Sequence, residues 1–311
     1  MRVALLLLLL TVASADEPAA PLCTLDTAGL EGLPAWDGVT PHKVYDVVTY
    51  AYELDLLRIR VTELGNVVDT FFVAVCDRSF SGAPLTLDLN FSSFGPLATK
   101  VHLVFCDETW PNGTNPWVRE GALRDHGFTA VKKVVQPGDI VIFSDVDEIP
   151  SAEVVRQLLR HSLKDGLVHL RMPLYKYSFG CVDQRFIGQS SWCGALALGG
   201  ERVLAETSGA AVRGLGHDCR SPGPHLFCSG WHCSNCMRPD VVRLKFVHFS
   251  HAKDQNMIDF NGKVAQNLSF LKNHMHECKN TDDSNFRRVR HMRGLPEAVW
   301  MDYTRYLQPK Q

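Results

Sequence analysis

Two aspartates at the end of an apolar run are the residues of this chain best placed to do chemistry. Residues 140–143 are all apolar without a helical period and follow the turn signal Pro137-Gly138, so we predict a short strand buried on both faces. Asp145 and Asp147 come at its end, and the i and i+2 side chains of a strand point the same way. Two carboxylates at so short a distance from each other repel unless a cation lies between them. Mg²⁺ or Mn²⁺ is the natural partner and can also bind nucleotide phosphates, so the pattern favours a nucleotide-sugar transferase.

Strands and helices alternate around these aspartates. We predict strands at residues 45–52, 67–75 and 101–105, and helices at 53–64, at 117–135 with an interruption near Gly127, and at 152–163 with Ser151 as the cap. This alternation is typical of a parallel α/β sheet, whose ligands bind at the carboxyl ends of the strands. The second half of the chain is richer in glycine, and we predict one α/β domain with an irregular C-terminal portion.

The N-terminus has the features of a targeting segment. Arg2, the apolar residues 3–12 and the small residues Ala13-Ser14-Ala15 predict a secretory signal peptide of residues 1–15. The apolar run is shorter than the roughly 20 residues of a membrane span. An uncleaved short signal anchor, which would attach the protein to a membrane, is the alternative. Residues 16–42 are predicted to form a stem or lead-in, and 43–311 the main domain.

Composition agrees with a globular protein of the secretory pathway. The 311 residues are 45% hydrophobic and 21% charged, which suffices for a sizeable core, and a formal net charge of -2 gives no reason to expect nucleic acid as a partner. Ten cysteines are an even number, as expected in an oxidising compartment. Glycosylation sequons begin at Asn90, Asn112 and Asn267.

Several segments together resemble glycosyltransferase family 17, the bisecting N-acetylglucosaminyltransferases. They occur in the family's order: Tyr52-Glu53-Leu54-Asp55, Glu63-Leu64-Gly65-Asn66, Trp117-Val118-Arg119-Glu120 with Arg124-Asp125, Ser144-Asp145-Val146-Asp147-Glu148, Gly230-Trp231-His232-Cys233, then Lys245 and Ser250-His251-Ala252. The resemblance implies an inverting transferase with a GT-A-like, Rossmann-like fold. It would use Mn²⁺ (or Mg²⁺) to move N-acetylglucosamine from UDP-GlcNAc to the β-mannose of an N-glycan core through a β-1,4 bond. It also implies a glycoprotein acceptor and a place in the Golgi lumen or membrane, with secretion as the alternative.

The metal-site prediction rests on Asp145 and Asp147 together with this resemblance. His232 is the predicted additional ligand and His251 the competing one, since at most one of them need bind metal. Glu148 is expected to point away from the two aspartates and to orient the loop.

The residues that would bind the nucleotide and serve as general base are less constrained by sequence. Candidates for the nucleotide lie after the first two strands: Tyr52, Glu53, Asp77 and Ser79. Arg124 and Asp125 could face the diphosphate, as their match to the family suggests. An inverting transfer needs one carboxylate as general base. The candidates are Asp183, Glu201, Glu206, Asp218 and Asp254, and Asp183 is preferred because it follows an aromatic run.

The cysteines of the second half allow two interpretations. Cys219, Cys228, Cys233 and Cys236 could form a zinc knuckle, but an oxidising lumen favours disulfides. Cys181 with Cys193, and Cys76 with Cys106, are further predicted pairs.

Other functions stay open at this point. The alternatives are a transferase of the same fold with another donor or acceptor, and a non-catalytic secreted glycan-binding protein. A metal-dependent hydrolase is less compatible, because glycosidases separate their two carboxylates by about 5 to 10 Å.

Overall fold

The computed structural model describes residues 22–38, 42–87, 89–107, 110–111, 113–253, 258–279, 286–288, 295–296 and 299. The predicted leader and Asn112, the first residue of a predicted sequon, lie outside these ranges. None of the helices within them combines the length and the hydropathy that a bilayer crossing demands.

The described chain contains strands and helices from end to end. The strands are β1 (Val44–Thr49), β2 (Thr70–Val75), β3 (Val101–Phe105), β4 (Ile140–Asp145), β5 (Glu148–Pro150), β6 (Leu167–Met172), β7 (Leu174–Lys176), β8 (Ser178–Val182), β9 (Trp192–Gly199), β10 (His225–Leu226), β11 (Gly230–Ser234) and β12 (Arg287–Arg288). The α-helices are α1 (Leu54–Leu64), α2 (Pro116–Lys132), α3 (Ala152–Leu158), α4 (Gly200–Ala205), α5 (Gly209–Gly216), α6 (Pro239–His248), α7 (Ile258–Gln266) and α8 (Leu268–Glu277). Short 3₁₀ segments are Ala28–Leu30, Phe91–Lys100, Gln184–Phe186, Gly188–Ser190, His217–Cys219 and Ser250–Lys253.

The central sheet has seven strands in the order β10-β6-β9-β4-β1-β2-β3. Its pairs are parallel except where β9 runs antiparallel to both β4 and β6. The predicted α/β class with a mainly parallel sheet is therefore confirmed. Strand β4 lies between β1 and β9, and its four apolar residues are buried, as their pattern predicts for a strand covered on both faces.

Some predicted boundaries in the first half are wrong. β1 ends at Thr49 rather than at Tyr52, because the chain turns there towards α1. β2 begins at Thr70 rather than at residue 67. Helix α2 runs without an interruption at Gly127, where a Cβ atom would lie 3.0 Å from Val47 Cγ1 of β1. That glycine lets the helix approach the sheet closely and does not break it.

The second half is more regular than predicted. Five strands form a second sheet in the order β12-β8-β7-β11-β5, and its own core includes Ile149, Trp231 and Phe246, the last from helix α6. These strands have two to five residues, which is too short for a hydrophobic period to be visible in sequence.

All ten cysteines form disulfides, so the disulfide interpretation is confirmed over the zinc knuckle. The pairs are Cys23–Cys228, Cys76–Cys106, Cys181–Cys278, Cys193–Cys219 and Cys233–Cys236. Cys76–Cys106 is as predicted. The predicted Cys181–Cys193 pair is wrong, since Cys181 pairs with Cys278 and Cys193 pairs with Cys219.

The described part of the predicted lead-in packs against the domain. Leu30 is buried in the main core, and the Trp36 amide donates to the carbonyl of Arg160. The bond from Cys23 to Cys228 adds a covalent link to this attachment.

Candidate active site

The two sheets meet at the turn that carries the predicted metal ligands. Asp145 is the last residue of β4, and β5 begins at Glu148, in the second sheet. Strand β5 pairs antiparallel with β11, which places Glu148 opposite His232. The register thus brings His232 to the aspartates from far along the chain. His251 is placed elsewhere, with its ring edge-on to Trp117 at 4.4 Å.

Acidic and basic side chains alternate around this turn in a group that we call the carboxylate cluster. It consists of Glu53, Glu120, Asp145, Asp147 and Glu148, joined by the cations of Arg124, Arg213 and Lys245.

Both carboxylate oxygens of Asp145 are bound by arginines. Arg124 Nη2 lies 2.8 Å from Oδ1, and Arg213 Nη2 lies 2.8 Å from Oδ2. Burial alone would raise the pKa of Asp145, but the two guanidinium groups hold it well below its usual range. Asp145 is therefore ionised and fixed in orientation by protein groups.

Glu148 does not point away from the aspartates, and that prediction is wrong. Its Oε2 accepts a bond from Arg213 Nη1 at 2.7 Å and one from the Asp145 amide at 3.0 Å. Its Oε1 accepts from the indole N–H of Trp192 at 2.8 Å. The predicted role of Glu148 in orienting the loop is confirmed by the bond to the Asp145 amide.

Asp147 is bound less completely than Asp145. Lys245 Nζ lies 3.3 Å from Oδ2, and His232 Nε2 lies 3.8 Å from Oδ1. The second distance exceeds a hydrogen bond but is within the span of two ligands on one ion, since each metal–ligand bond is about 2.1 Å. The other ring nitrogen of His232, Nδ1, is buried without a hydrogen-bond partner. The donor set of one carboxylate and one imidazole fits Mn²⁺.

The charges of the carboxylate cluster do not balance. When all five carboxylates are ionised and His232 is neutral, they stand against the three cations of Arg124, Arg213 and Lys245, which leaves two negative charges. Glu53, Glu120, Asp147 and Glu148 are buried, so water screens the excess only weakly. One divalent cation would neutralise it.

The loop after β1 is tied to the carboxylate cluster through Glu53. This buried carboxylate accepts bonds from the amides of Ala51 and Tyr52 at 3.2 and 2.9 Å, and Lys245 Nζ lies 2.9 Å from it. Burial would raise the pKa of Glu53, but Lys245 and these amides lower it below its usual range. Lys245 joins the loop to Asp147, so the two parts of the site are positioned together.

A cavity of about 550 Å³ opens beside this loop. Its wall includes Tyr52, Arg58, Arg238 and His248. A smaller pocket is lined by Tyr52 and Lys245, and Lys245 also contacts Asp147. The volume is in the range of small-molecule sites. It lies after the carboxyl end of β1, where ligands of open α/β sheets bind.

Three of the predicted nucleotide residues lie at or near this cavity. Tyr52 lines it, while Glu53 and Ser79 line the smaller pocket; the Tyr52 hydroxyl is hydrogen-bonded to Ser79. Asp77 is exposed at the end of β2.

Two predicted diphosphate residues have protein partners. Arg124 faces Asp145 and Glu120, while Asp125 accepts a bond at 2.8 Å from the amide of Ala210 in α5. Asp125 therefore ties α2 to α5, the helix that carries Arg213.

The candidate general bases are scattered. Asp183 is buried and paired with Arg185 at 2.7 Å. Glu206 pairs with Arg202, and Glu201 accepts from the Gly138 amide at 3.3 Å. The side chain of Asp218, and the whole of Asp254, lie outside the described part of the structure.

Comparison with known proteins identifies the family. The family model described as glycosyltransferase family 17 matches residues 24–268, which is most of the chain. The chain belongs to glycosyltransferase family 17. It is similar to proteins of Mus musculus and Homo sapiens named beta-1,4-mannosyl-glycoprotein 4-beta-N-acetylglucosaminyltransferase, at 27% identity over 260 residues. Each alignment covers 75% of this chain and 47% of the relative, so the chain spans about half the length of these relatives.

Three residues of the carboxylate cluster could not be placed at the site from their local sequence. Arg213 lies on α5 among glycines, Lys245 lies on α6, and Glu120 shows no pattern beyond a helical one. Only the resemblance marked Lys245 and Glu120, and no sequence signal marked Arg213.

The bond from Trp192 to Glu148 can be tested by itself. Trp192→Phe removes the indole N–H but keeps a ring beside His232. A hydrogen bond to a charged group is worth roughly 1.5–3 kcal/mol, so we expect the free energy of unfolding in urea to fall by that amount. Trp36→Phe, at a ring packed on His42, is the control. Equal stability of the two variants would contradict a contribution from this bond.

Proposed function

We propose that this protein is a metal-dependent transferase that moves N-acetylglucosamine from UDP-GlcNAc to the β-mannose of an N-glycan core. The relatives' names supply the sugar and the mannosyl-glycoprotein acceptor. The observation that carries the proposal is the carboxylate cluster with its excess negative charge, which Lys245 joins to the loop that lines a cavity of about 550 Å³.

In this proposal Asp147 and His232 would hold the ion. The atoms that face each other, Asp147 Oδ1 and His232 Nε2, lie 3.8 Å apart, close enough for both to bind one ion. Asp145 is instead a positioning residue, because both its oxygens are taken by arginines. The bound Mn²⁺ or Mg²⁺ would stabilise negative charge on the departing diphosphate.

The remaining parts of the site would bind the donor. Tyr52 offers an aromatic face to the uracil, and Arg58 and Arg238 supply positive charge on the cavity wall. Lys245 fixes the loop after β1 against Asp147, so that nucleotide and ion are aligned. Asp183 stays the predicted general base; Arg185 would have to release its carboxylate.

Calorimetry with UDP tests the metal requirement directly. We expect UDP to bind in the presence of Mn²⁺ and to lose most of its affinity when the ion is removed with a chelator, because the diphosphate would then face the excess negative charge of the cluster. UDP release from UDP-GlcNAc is then measured with and without an N-glycan acceptor. Metal-independent binding of UDP would contradict the metal site, and acceptor-independent release would contradict transfer.

A further inference from the structure

A large aromatic side chain lies exposed at the start of helix α2. Trp117 is 43% exposed, and the neighbouring Val118 is 53% exposed. Tryptophan provides a rigid face that is apolar and carries one N–H donor, a combination typical of binding surfaces. We propose that Trp117 is the platform on which the acceptor glycan stacks, an inference that rests on the proposed function.

The indole is held in place while 43% of the residue stays exposed. The ring of His251 is perpendicular to it, at 89° and 4.4 Å between centroids. A perpendicular ring can contact one face or one edge of the indole, so it leaves at least one face uncovered. The backbone is fixed as well, because the side chain of Asn115 accepts a bond from the Trp117 amide at 2.9 Å. A ring fixed in this way loses little conformational entropy when a ligand binds.

Helix α2 connects this ring to the carboxylate cluster. Trp117, Glu120 and Arg124 are spaced i, i+3 and i+7, so they lie on one face of the helix. Arg124 binds Asp145, and seven residues at 1.5 Å each place the two helix positions about 10 Å apart. That separation is comparable to the length of a disaccharide, which suits a glycan whose reacting sugar lies at the cluster.

A second connection runs along aromatic side chains. Phe249 lines the small pocket beside Tyr52 and Lys245. Its ring lies 5.5 Å from that of His251, which in turn contacts Trp117. This aromatic surface begins at the small pocket that Tyr52 and Lys245 line, and it ends at Trp117. The donor would occupy the cavity, so the surface beyond it is available to the acceptor.

The chemistry of the surface selects a neutral sugar. The C–H face of a pyranose packs against an indole while its hydroxyl groups remain in water, and the indole N–H can donate to one of them. Mannose and N-acetylglucosamine of an N-glycan core both meet this description.

The test compares Trp117→Ala and Trp117→Phe in the full chain, with Val118→Ser as the matched control. The probe is a core N-glycan pentasaccharide, measured by its KM in transfer and by its Kd in calorimetry with UDP and Mn²⁺ present. We expect Trp117→Ala to raise both acceptor constants about tenfold, as for a central tryptophan of a binding site, with the KM for UDP-GlcNAc unchanged. Trp117→Phe should have an intermediate effect and Val118→Ser none.

The outcomes separate this inference from the proposed function. Wild-type acceptor constants in Trp117→Ala would overturn the platform. A wild-type protein that binds the pentasaccharide without transferring sugar would contradict the proposed function, while the Kd of Trp117→Ala would still decide the platform. A wild-type protein that does not bind the pentasaccharide would overturn both.

Discussion

Asp147→Asn is expected to leave the protein folded and to reduce transfer by at least about a thousandfold, since a metal-bound leaving group is stabilised by several kcal/mol. The variant removes the carboxylate that lies nearest to the incompletely bonded His232. It also lowers the excess negative charge of the carboxylate cluster, and Lys245 keeps its closer partner Glu53, so the free energy of unfolding should change little. Single-turnover transfer and urea denaturation measure the two effects.

Asp165→Asn is the control, because it makes the same change at an exposed position. We expect it to match the wild-type protein in both assays. Turnover of Asp147→Asn at the wild-type rate would remove the basis for the metal site. Loss of turnover together with loss of the folded state would show instead that Asp147 acts through stability.

Asp145 illustrates what spacing alone cannot predict. The sequence places Asp145 and Asp147 correctly after a buried strand, because four consecutive apolar residues bounded by a turn define β4. It also treats the two aspartates as equivalent. The structure gives them different surroundings, since Arg213 approaches Asp145 from a helix 68 residues later. A long-range partner of that kind leaves no local pattern.

The local sequence also left the choice between His232 and His251 as metal ligand open. Both histidines occur in segments that resemble the family, and sequence could not rank them by more than that. Pairing of β5 with β11 places His232, and not His251, at the carboxylate cluster, because it sets His232 opposite Glu148. Both strands are short, and the second sheet they belong to was predicted as irregular chain.

Arg60 is a further residue whose importance only the folded chain reveals. On sequence it is a charged residue within an amphipathic helix, yet it is fully buried. It binds Asp46 at 2.6 Å, and its guanidinium also donates to the carbonyl of Glu148 at 2.6 Å. A further bond reaches the carbonyl of Asp145 at 3.2 Å. Arg60 therefore holds the backbone of the turn that carries the carboxylate cluster, through its bonds to two carbonyls of that turn.

Arg60→Met is expected to lower the free energy of unfolding by about 3–5 kcal/mol, because the carboxylate of Asp46 would remain buried without its partner. Two carbonyls of the turn would lose their donor as well, so transfer should fall even where the variant is folded. Urea denaturation gives the first quantity and kcat/KM at low temperature the second. Arg58→Met, on the same helix with a partly exposed side chain, is the control for stability.

The double variant Asp46→Asn with Arg60→Met separates the effect of the ion pair from the effect of the bonds to the turn carbonyls. Removing both charges should recover part of the lost stability, since the cost of one partner alone is mainly that of an unpaired buried charge. It should not recover transfer, because the turn carbonyls of Asp145 and Glu148 would still lack their donor. Full recovery of transfer would show that the ion pair, and not the support of the turn, is what the active site requires.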